Sequence, residues 1–322
     1  DYSHNDFTKI AINSVQSTFD FTDSIFIPHS ANFEAKGRKV IKENYQSLAL
    51  QSSTYLAFLN VIKKMELVKG ISGLQYVHSE YYKSELTKYN TQEVSINGSI
   101  QMESLLSVNP DLFLIFPFEL ESREKYEQKG IQTLLISEYL ELTALARLEW
   151  IKLFGLIFNE SELANNYFVE VEAEYNSLIK SVDSAKTVFF NLPFKDNWNM
   201  PSSNSITANL VKDAGLNYIY SDTIYDNSVR AKEKVWNDAI QSEYWVIIAS
   251  RPVGFSLEDL KDEEKIYADF PAVINGKVLF CNTSTTGYFT DGVVEPHLLL
   301  KDLIALQEIG SDSDSKYFKL LK

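Results

Sequence analysis

Two spacings of apolar residues alternate along the chain. Short continuous runs occur at Ser47–Leu50, Leu112–Phe116, Gln132–Ile136, Thr187–Asn191, Trp245–Ala249 and Lys277–Phe280. A run apolar on both faces belongs inside a parallel sheet. Segments with helical spacing lie between them. Thr54–Lys64 places Leu56, Phe58, Leu59 and Ile62 on one side, with Ser53 as its candidate N-cap. The helix before Leu112 exposes one carboxylate, Glu103, and stops at Asn109-Pro110, because proline disfavours the α conformation in the residue before it. Ser122–Lys129 closes at Gly130 and Ile206–Asp213 at Gly215, while Pro296 opens a last helix to Leu306. Strand–helix–strand alternation of this kind predicts βαβ units.

Glu141–Val182 breaks the alternation. It carries helical spacing without proline: Leu145, Leu148, Ile151, Phe154 and Ile157 form one stripe, and Phe168, Val171, Tyr175 and Leu178 a second. An interruption is expected at Asn159-Glu160-Ser161. The pattern predicts an α/β protein of two Rossmann-like lobes with parallel sheets, joined by a long α-helical linker. Its expected divisions are an N-terminal extension, 1–39, with an edge hairpin from Thr8–Ser14 and Ser24–Ile27; a first lobe, 40–140; a helical linker, 141–183; and a second lobe, 184–322. A helix over Ala231–Gln241 bears Glu233 and runs into the Trp245 strand, much as the Glu103 helix runs into the Leu112 strand, so the lobes look alike. Leu192–Ser205 is read as a polar-aromatic loop, Pro28–Lys39 as a polar linker and Ser311–Ser315 as a loose segment.

Length adds that 322 residues suffice for two domains. A net charge of −14 argues against nucleic acid, whose phosphates require a basic surface. Most of the 18 Tyr, 20 Phe and 4 Trp should be core. The single cysteine, Cys281, excludes an intrachain disulfide and is expected as a small buried hydrophobe. No apolar run approaches the ~20 residues of a membrane span. The chain starts at Asp1 without methionine, which suggests a signal peptide or lipid-bearing cysteine cut away. His4, His29, His78 and His297 show no metal-ligand spacing; a haem-ligand role for His78 is weighed against a surface position. Asn-x-Ser/Thr triplets at Asn97, Asn159 and Asn282 are read as chance.

Several segments resemble the class III solute-binding proteins of ABC importers. They are Glu103–Ile115, Gly130–Ile136, Arg147–Gly155, Leu210–Gly215, Phe270–Val278 and Leu298–Leu303, in family order over roughly residues 40–308. The N-terminal extension, Arg147-Leu-Glu-Trp150 and Asn191-Leu-Pro-Phe-Lys195 look like the Bacteroidetes branch. The resemblance implies a periplasmic monomer, free or lipid-anchored, and no enzyme. It implies a ferric siderophore, cobalamin or haem held in an inter-lobe cleft, no intrinsic cofactor, and delivery to a membrane permease with its ATPase. It also implies that Glu103 and Glu233 pair with permease arginines; the bland alternative is two solvated helix acids.

Open α/β sheets hold ligands at the carboxyl ends of their strands. That places Ser52, Ser53, Thr54, Tyr55, Phe116, Phe118, Glu119, Glu138 and Tyr139 at one site edge. In the second lobe it selects Lys195, Trp198, Met200, Ser250, Arg251, Asn282, Thr283, Tyr288 and Phe289. Each is weighed against loop packing. Trp198 is the foremost candidate, since it follows a core strand in a polar loop. Lys195 and Arg251 are expected to attract an anionic ferric complex; Arg147 is read as structural. An α/β enzyme is the competing function, but Gly-x-Gly-x-x-Gly, Walker, Gly-x-Ser-x-Gly and His-Glu-x-x-His motifs are absent. A non-transport binding module on the same fold is the other.

Overall fold

The computed structural model describes the chain except residues 1, 5–6, 14–20, 30–38, 43, 222–228 and 309–313. Two compact units are present: Asp1–Glu141 with Glu149–Phe168, and Leu142–Leu148 with Val169–Lys322.

In the first unit, β1 (Tyr2–His4), β2 (Phe7–Asn13) and β3 (Thr22–Pro28) form a three-stranded antiparallel sheet. The hairpin expected near the N-terminus is therefore real, but it makes its own sheet instead of extending the edge of the main one. A charged cluster fastens it: Asp23, 7% exposed, accepts from Arg123 at 2.9 Å, and Lys39 lies 3.6 Å away. The greater part of the expected linker 28–39 lies outside the described residues.

The main sheet is parallel. In chain order, β4 (Leu48–Leu50), α1 (Tyr55–Val61), β5 (Val68–Ile71), α2 (Glu80–Lys88) and β6 (Gln92–Glu93) are followed by a small hairpin, β7 (Ser95–Ile96) and β8 (Ser99–Ile100). Then come α3 (Met102–Val108), β9 (Leu112–Ile115), α4 (Arg123–Glu127) and β10 (Gln132–Leu135). The strands stand in the order β10-β9-β4-β5-β6. Their residues are buried on both faces in β4 and β9, as the continuous apolar runs require.

Two helices follow, α5 (Ala144–Ile157) and α6 (Ser161–Leu178), broken at the expected place, where Asn159 takes φ +59°. Gly155 is required there: a Cβ on it would stand 2.4 Å from Ala164 Cβ, so only glycine lets the two helices approach at the turn. Each helix contributes residues to both units.

The second unit repeats the plan. β11 (Thr187–Phe190) is followed by β12 (Pro193–Phe194), β13 (Asn197–Asn199), α7 (Ile206–Asp213), β14 (Asn217–Tyr218), β15 (Val229–Ala231), α8 (Lys232–Ala239) and β16 (Tyr244–Ala249). α9 (Leu257–Glu263), α10 (Pro271–Ile274), β17 (Val278–Asn282), α11 (Pro296–Glu308) and β18 (Lys319–Leu320) complete it. The main sheet runs β14-β11-β16-β17-β18, parallel except for the antiparallel β18. Asp302 of α11 holds that last strand by accepting from Tyr317 N at 2.6 Å and Phe318 N at 3.1 Å. The segment read as a loop, 192–205, instead contributes β12 and β13 to a second small sheet, β12-β13-β15. α7 matches its predicted bounds; Ser205 caps it through Ala208 N and Gly215 ends it at φ +86°. Of the loose segment 311–315, residues 311–313 lie outside the described residues.

Candidate functional site

At the carboxyl end of the first unit's sheet, the ends of β4, β9 and β10 are tied together. Buried Gln51 accepts from Phe116 N at 2.7 Å, and its own N–H donates to Leu114 O at 3.0 Å. Thr54 Oγ1 donates to Glu138 Oε1 at 2.9 Å and lies 2.8 Å from Ser52 Oγ. This explains a local correction. The N-cap of α1 is Thr54, not Ser53, and its hydroxyl is engaged with Glu138 instead of capping the helix.

A ring cluster covers these bonds. Phe116 contacts Tyr55 at 5.9 Å, Phe118 at 5.0 Å and Tyr139 at 5.3 Å between centroids, the last nearly perpendicular. Edge-on and offset rings are the favoured arrangements of aromatic quadrupoles. Phe118 is 57% exposed; Phe116, Tyr139, Ser53 and Thr54 are half-buried. The Tyr139 hydroxyl is buried and has no hydrogen-bond partner among the described residues. Burial, with the Glu138 charge beside it, pushes it up to about 12. Tyr55 is fully buried, so its ring supports the cluster from below and offers no surface to a ligand.

In the second unit, Asn191 follows β11 at φ +58°, and Lys195 turns the β12–β13 hairpin at φ +57°. Lys195 is exposed, 5.5 Å from the ring of Phe194, itself 69% exposed. After β16, Arg251 sends Nε and Nη2 to Glu263 at 2.9 and 3.1 Å, and Nη1 to Ser250 O at 3.1 Å. Asn282, ending β17, ties the two loops: its Oδ1 accepts from Arg251 N at 3.1 Å and its Nδ2 donates to Arg251 O at 2.9 Å. Thr283 is half-buried, its N–H given to Ala249 O at 3.0 Å. Tyr288 and Phe289 meet edge to face at 5.1 Å; Phe289 is 53% exposed, and burial pushes the Tyr288 hydroxyl up to about 12.

Two residues selected in the second unit do not reach the surface. Trp198 is fully buried and Met200 nearly so, both in the second unit's core. β13 alternates Asn197-Trp198-Asn199, so its middle side chain points inward while the asparagines face solvent. The indole lies 6.1 Å from the rings of Phe189 and Trp245. Trp198, Met200 and Tyr55 are thus removed from the list of ligand-contacting side chains. Phe194 and Glu263 were missed. Phe194 borders the chosen Lys195, and only the hairpin reveals that its ring is outside. Cys281 lies within β17 and is buried; burial pushes its thiol up to about 12, which leaves it unreactive.

Glu103 and Glu233 are both exposed and both in the first turn of their helices, α3 and α8. An acid there is favoured by the helix dipole. Each helix ends where a central strand begins, so each first turn lies toward the carboxyl end of its own sheet.

Parallel sheets whose aromatic and hydroxyl side chains collect at the strand ends define a binding scaffold. The chain belongs to the periplasmic binding protein family, which it matches over residues 49–285. It is a binding protein and not an enzyme. It is similar to an uncharacterized lipoprotein of Methanocaldococcus jannaschii, 24% identical over 280 residues, 83% of this chain and 66% of the relative; the chain spans just under two thirds of that protein's length. Solved structures share the fold, among them these three. A periplasmic binding protein from Veillonella parvula has TM-score 0.67 at 14% identity, covering 94% of this chain and 99% of that one. The siderophore-binding protein BauB, solved with two acinetobactin molecules and ferric iron, has TM-score 0.65 at 14% identity, covering 92% and 98%. The periplasmic haem-binding protein HutB of Vibrio cholerae has TM-score 0.64 at 16% identity, covering 80% and 98%. Among the described residues no helix is long and apolar enough to cross a membrane.

Proposed function

We propose that this protein is the substrate-binding component of an ABC importer, binding a ferric siderophore-type complex at the strand-end rims and delivering it to the membrane permease. The observation that carries the reading is the ring cluster of Phe116, Phe118 and Tyr139 beside the Thr54–Glu138 bond and the half-buried Ser53. Rings bury the organic shell of a chelate, and a few placed polar groups orient it. Ser53, Thr54, Phe116, Phe118 and Tyr139 supply the first unit's contacts; Lys195, Thr283, Tyr288 and Phe289 those of the second, with Arg251 beside them paired to Glu263. The siderophore-bound neighbour supports iron as cargo. The haem-binding neighbour supports haem as a second reading, and cobalamin is a further alternative.

Glu103 and Glu233 are proposed as the permease contacts, because two exposed carboxylates in equivalent first turns suit pairing with arginines. A periplasmic location with a lipid anchor is proposed on the strength of the lipoprotein relative. We propose a monomer, divided as an extension (1–39), a first lobe (40–140), a helical linker (141–183) and a second lobe (184–322). Calorimetric titration with a ferric hydroxamate, a ferric catecholate, haem and cobalamin tests the function. Saturable sub-micromolar binding by one of the four is expected; silence from all four defeats it.

A further inference from the structure

We propose, resting on the function proposed above, that the cargo is an uncharged metal complex presenting oxygen acceptors, not an anionic one. The sequence offers two cations in the loops at the second unit's strand ends, Lys195 and Arg251, and the structure engages one of them; a third, Arg147 near the start of α5, acts on the Tyr288 hydroxyl. Arg251 gives both Nε and Nη2 to Glu263, a paired fork that fixes the guanidinium plane. Turning it toward an anion would leave the Glu263 carboxylate without its partner. Lys195 shares a depression of about 310 Å³ with Asp196, Lys232, Glu263 and Glu264, where Lys232 is ion-paired with Glu264. Two lysines and Arg251 there are balanced by three carboxylates, so no positive charge is left over.

The first unit's rim is no more basic. Glu138 is buried on Thr54, and Arg123 is held by Asp23 and Glu127. The chain as a whole carries a net charge of −14, which disfavours the approach of an anion. What the rims do present is apolar and hydroxylic: exposed Phe118 and Phe289, and the half-buried Ser53 and Thr283. Rings bury uncharged organic surface, and hydroxyls donate to carbonyl or hydroxamate oxygens.

A ferric tris-hydroxamate and cyanocobalamin share this chemistry; a ferric tris-catecholate and haem are the anionic counterparts. The full chain is titrated with all four at low and high salt. The expected result is that one uncharged complex binds at least about tenfold tighter than either anion, with an affinity that salt does not change. Tightest binding by an anionic complex, weakening as salt rises, overturns the inference and leaves the importer reading standing. Silence from all four overturns that reading itself. Glu263→Gln supplies an independent arm. Releasing Arg251 is expected to raise affinity for the ferric tris-catecholate about tenfold and leave the uncharged complexes unaffected. No gain for the anion overturns the claim that Glu263 withholds Arg251.

Discussion

The indole Nε1 of Trp198 donates a 2.7 Å hydrogen bond to the carbonyl oxygen of Phe190, which ends the first strand of the second unit's sheet. The bond is buried, and the ring lies in a group with Phe189, Trp245 and Tyr267. Trp198→Ala therefore acts on folding. It should destabilise the protein by about 3–5 kcal/mol, from lost burial and the cavity left behind. Urea unfolding measures this, and ligand affinity of the fraction that remains folded should not change. Full stability with weakened binding would put the indole back among the ligand contacts.

Glu103 and Glu233 make the opposite prediction. Both are exposed in first turns, and among the described residues neither makes a side-chain hydrogen bond or ion pair. Glu103→Arg and Glu233→Arg should leave solution affinity for the cargo within about twofold, since surface substitutions of this kind shift energies by under ~0.5 kcal/mol. Uptake in cells should fall sharply, because like charges would face each other at the permease. Undiminished uptake by the double variant would reduce both residues to solvated helix acids.

How far the sequence reveals this protein depends on where its information is local. The bounds of α7 follow from Ser205, a 3.6-residue period and Gly215, all within eleven residues. The core strand Leu112–Ile115 follows from an unbroken apolar run behind Asn109-Pro110. The small sheet β12-β13-β15 does not, because Asn197–Asn199 is too short to show a period and its partner Val229–Ala231 lies thirty residues away. That one omission turned a buried indole into the foremost ligand candidate and hid the outward ring of Phe194. Candidate positions at strand ends were legible from topology alone, as Phe116, Tyr139 and Arg251 demonstrate. The partner of Arg251 was not, because Glu263 is twelve residues on, at the end of a separate helix.

His297 carries a pH dependence of known sign. Its ring is largely buried near the start of α11, and burial lowers its pKa below the ordinary 6.5. Glu174, with Nε2 3.8 Å from its carboxylate, opposes this, as do Glu295 and Glu170; Lys301 reinforces it. A folded-state value below the unfolded one means the unfolded chain takes up the proton first. Stability should therefore fall as pH drops through 6.5 toward the folded value, and hold steady above 7. His297→Gln removes this group's share, so its melting temperature should decline less than the wild type's between pH 7 and 5. Equal slopes for the two proteins would sink the assignment, and direct NMR titration of the imidazole would then find no depression.

Tyr139 separates folding from binding most cleanly. Its ring packs edge-on against Phe116 at 5.3 Å, while its hydroxyl is buried without a partner among the described residues. A buried hydroxyl left unmatched carries a desolvation penalty that a ligand oxygen would relieve. Tyr139→Phe keeps the ring and deletes only the hydroxyl. The ligand-free protein should be as stable as the wild type or slightly more so. Affinity for the cargo should weaken about tenfold, equivalent to ~1.4 kcal/mol and within the range of one hydrogen bond. Phe118→Ala, which removes a ring more than half exposed, should also weaken binding with little effect on melting. Thermal unfolding and calorimetry on the same samples distinguish the cases. If Tyr139→Phe lowers the melting temperature and spares affinity, the hydroxyl serves the fold, and the oxygen-accepting face of the cargo must lie against the second unit's hydroxyls, starting with Thr283.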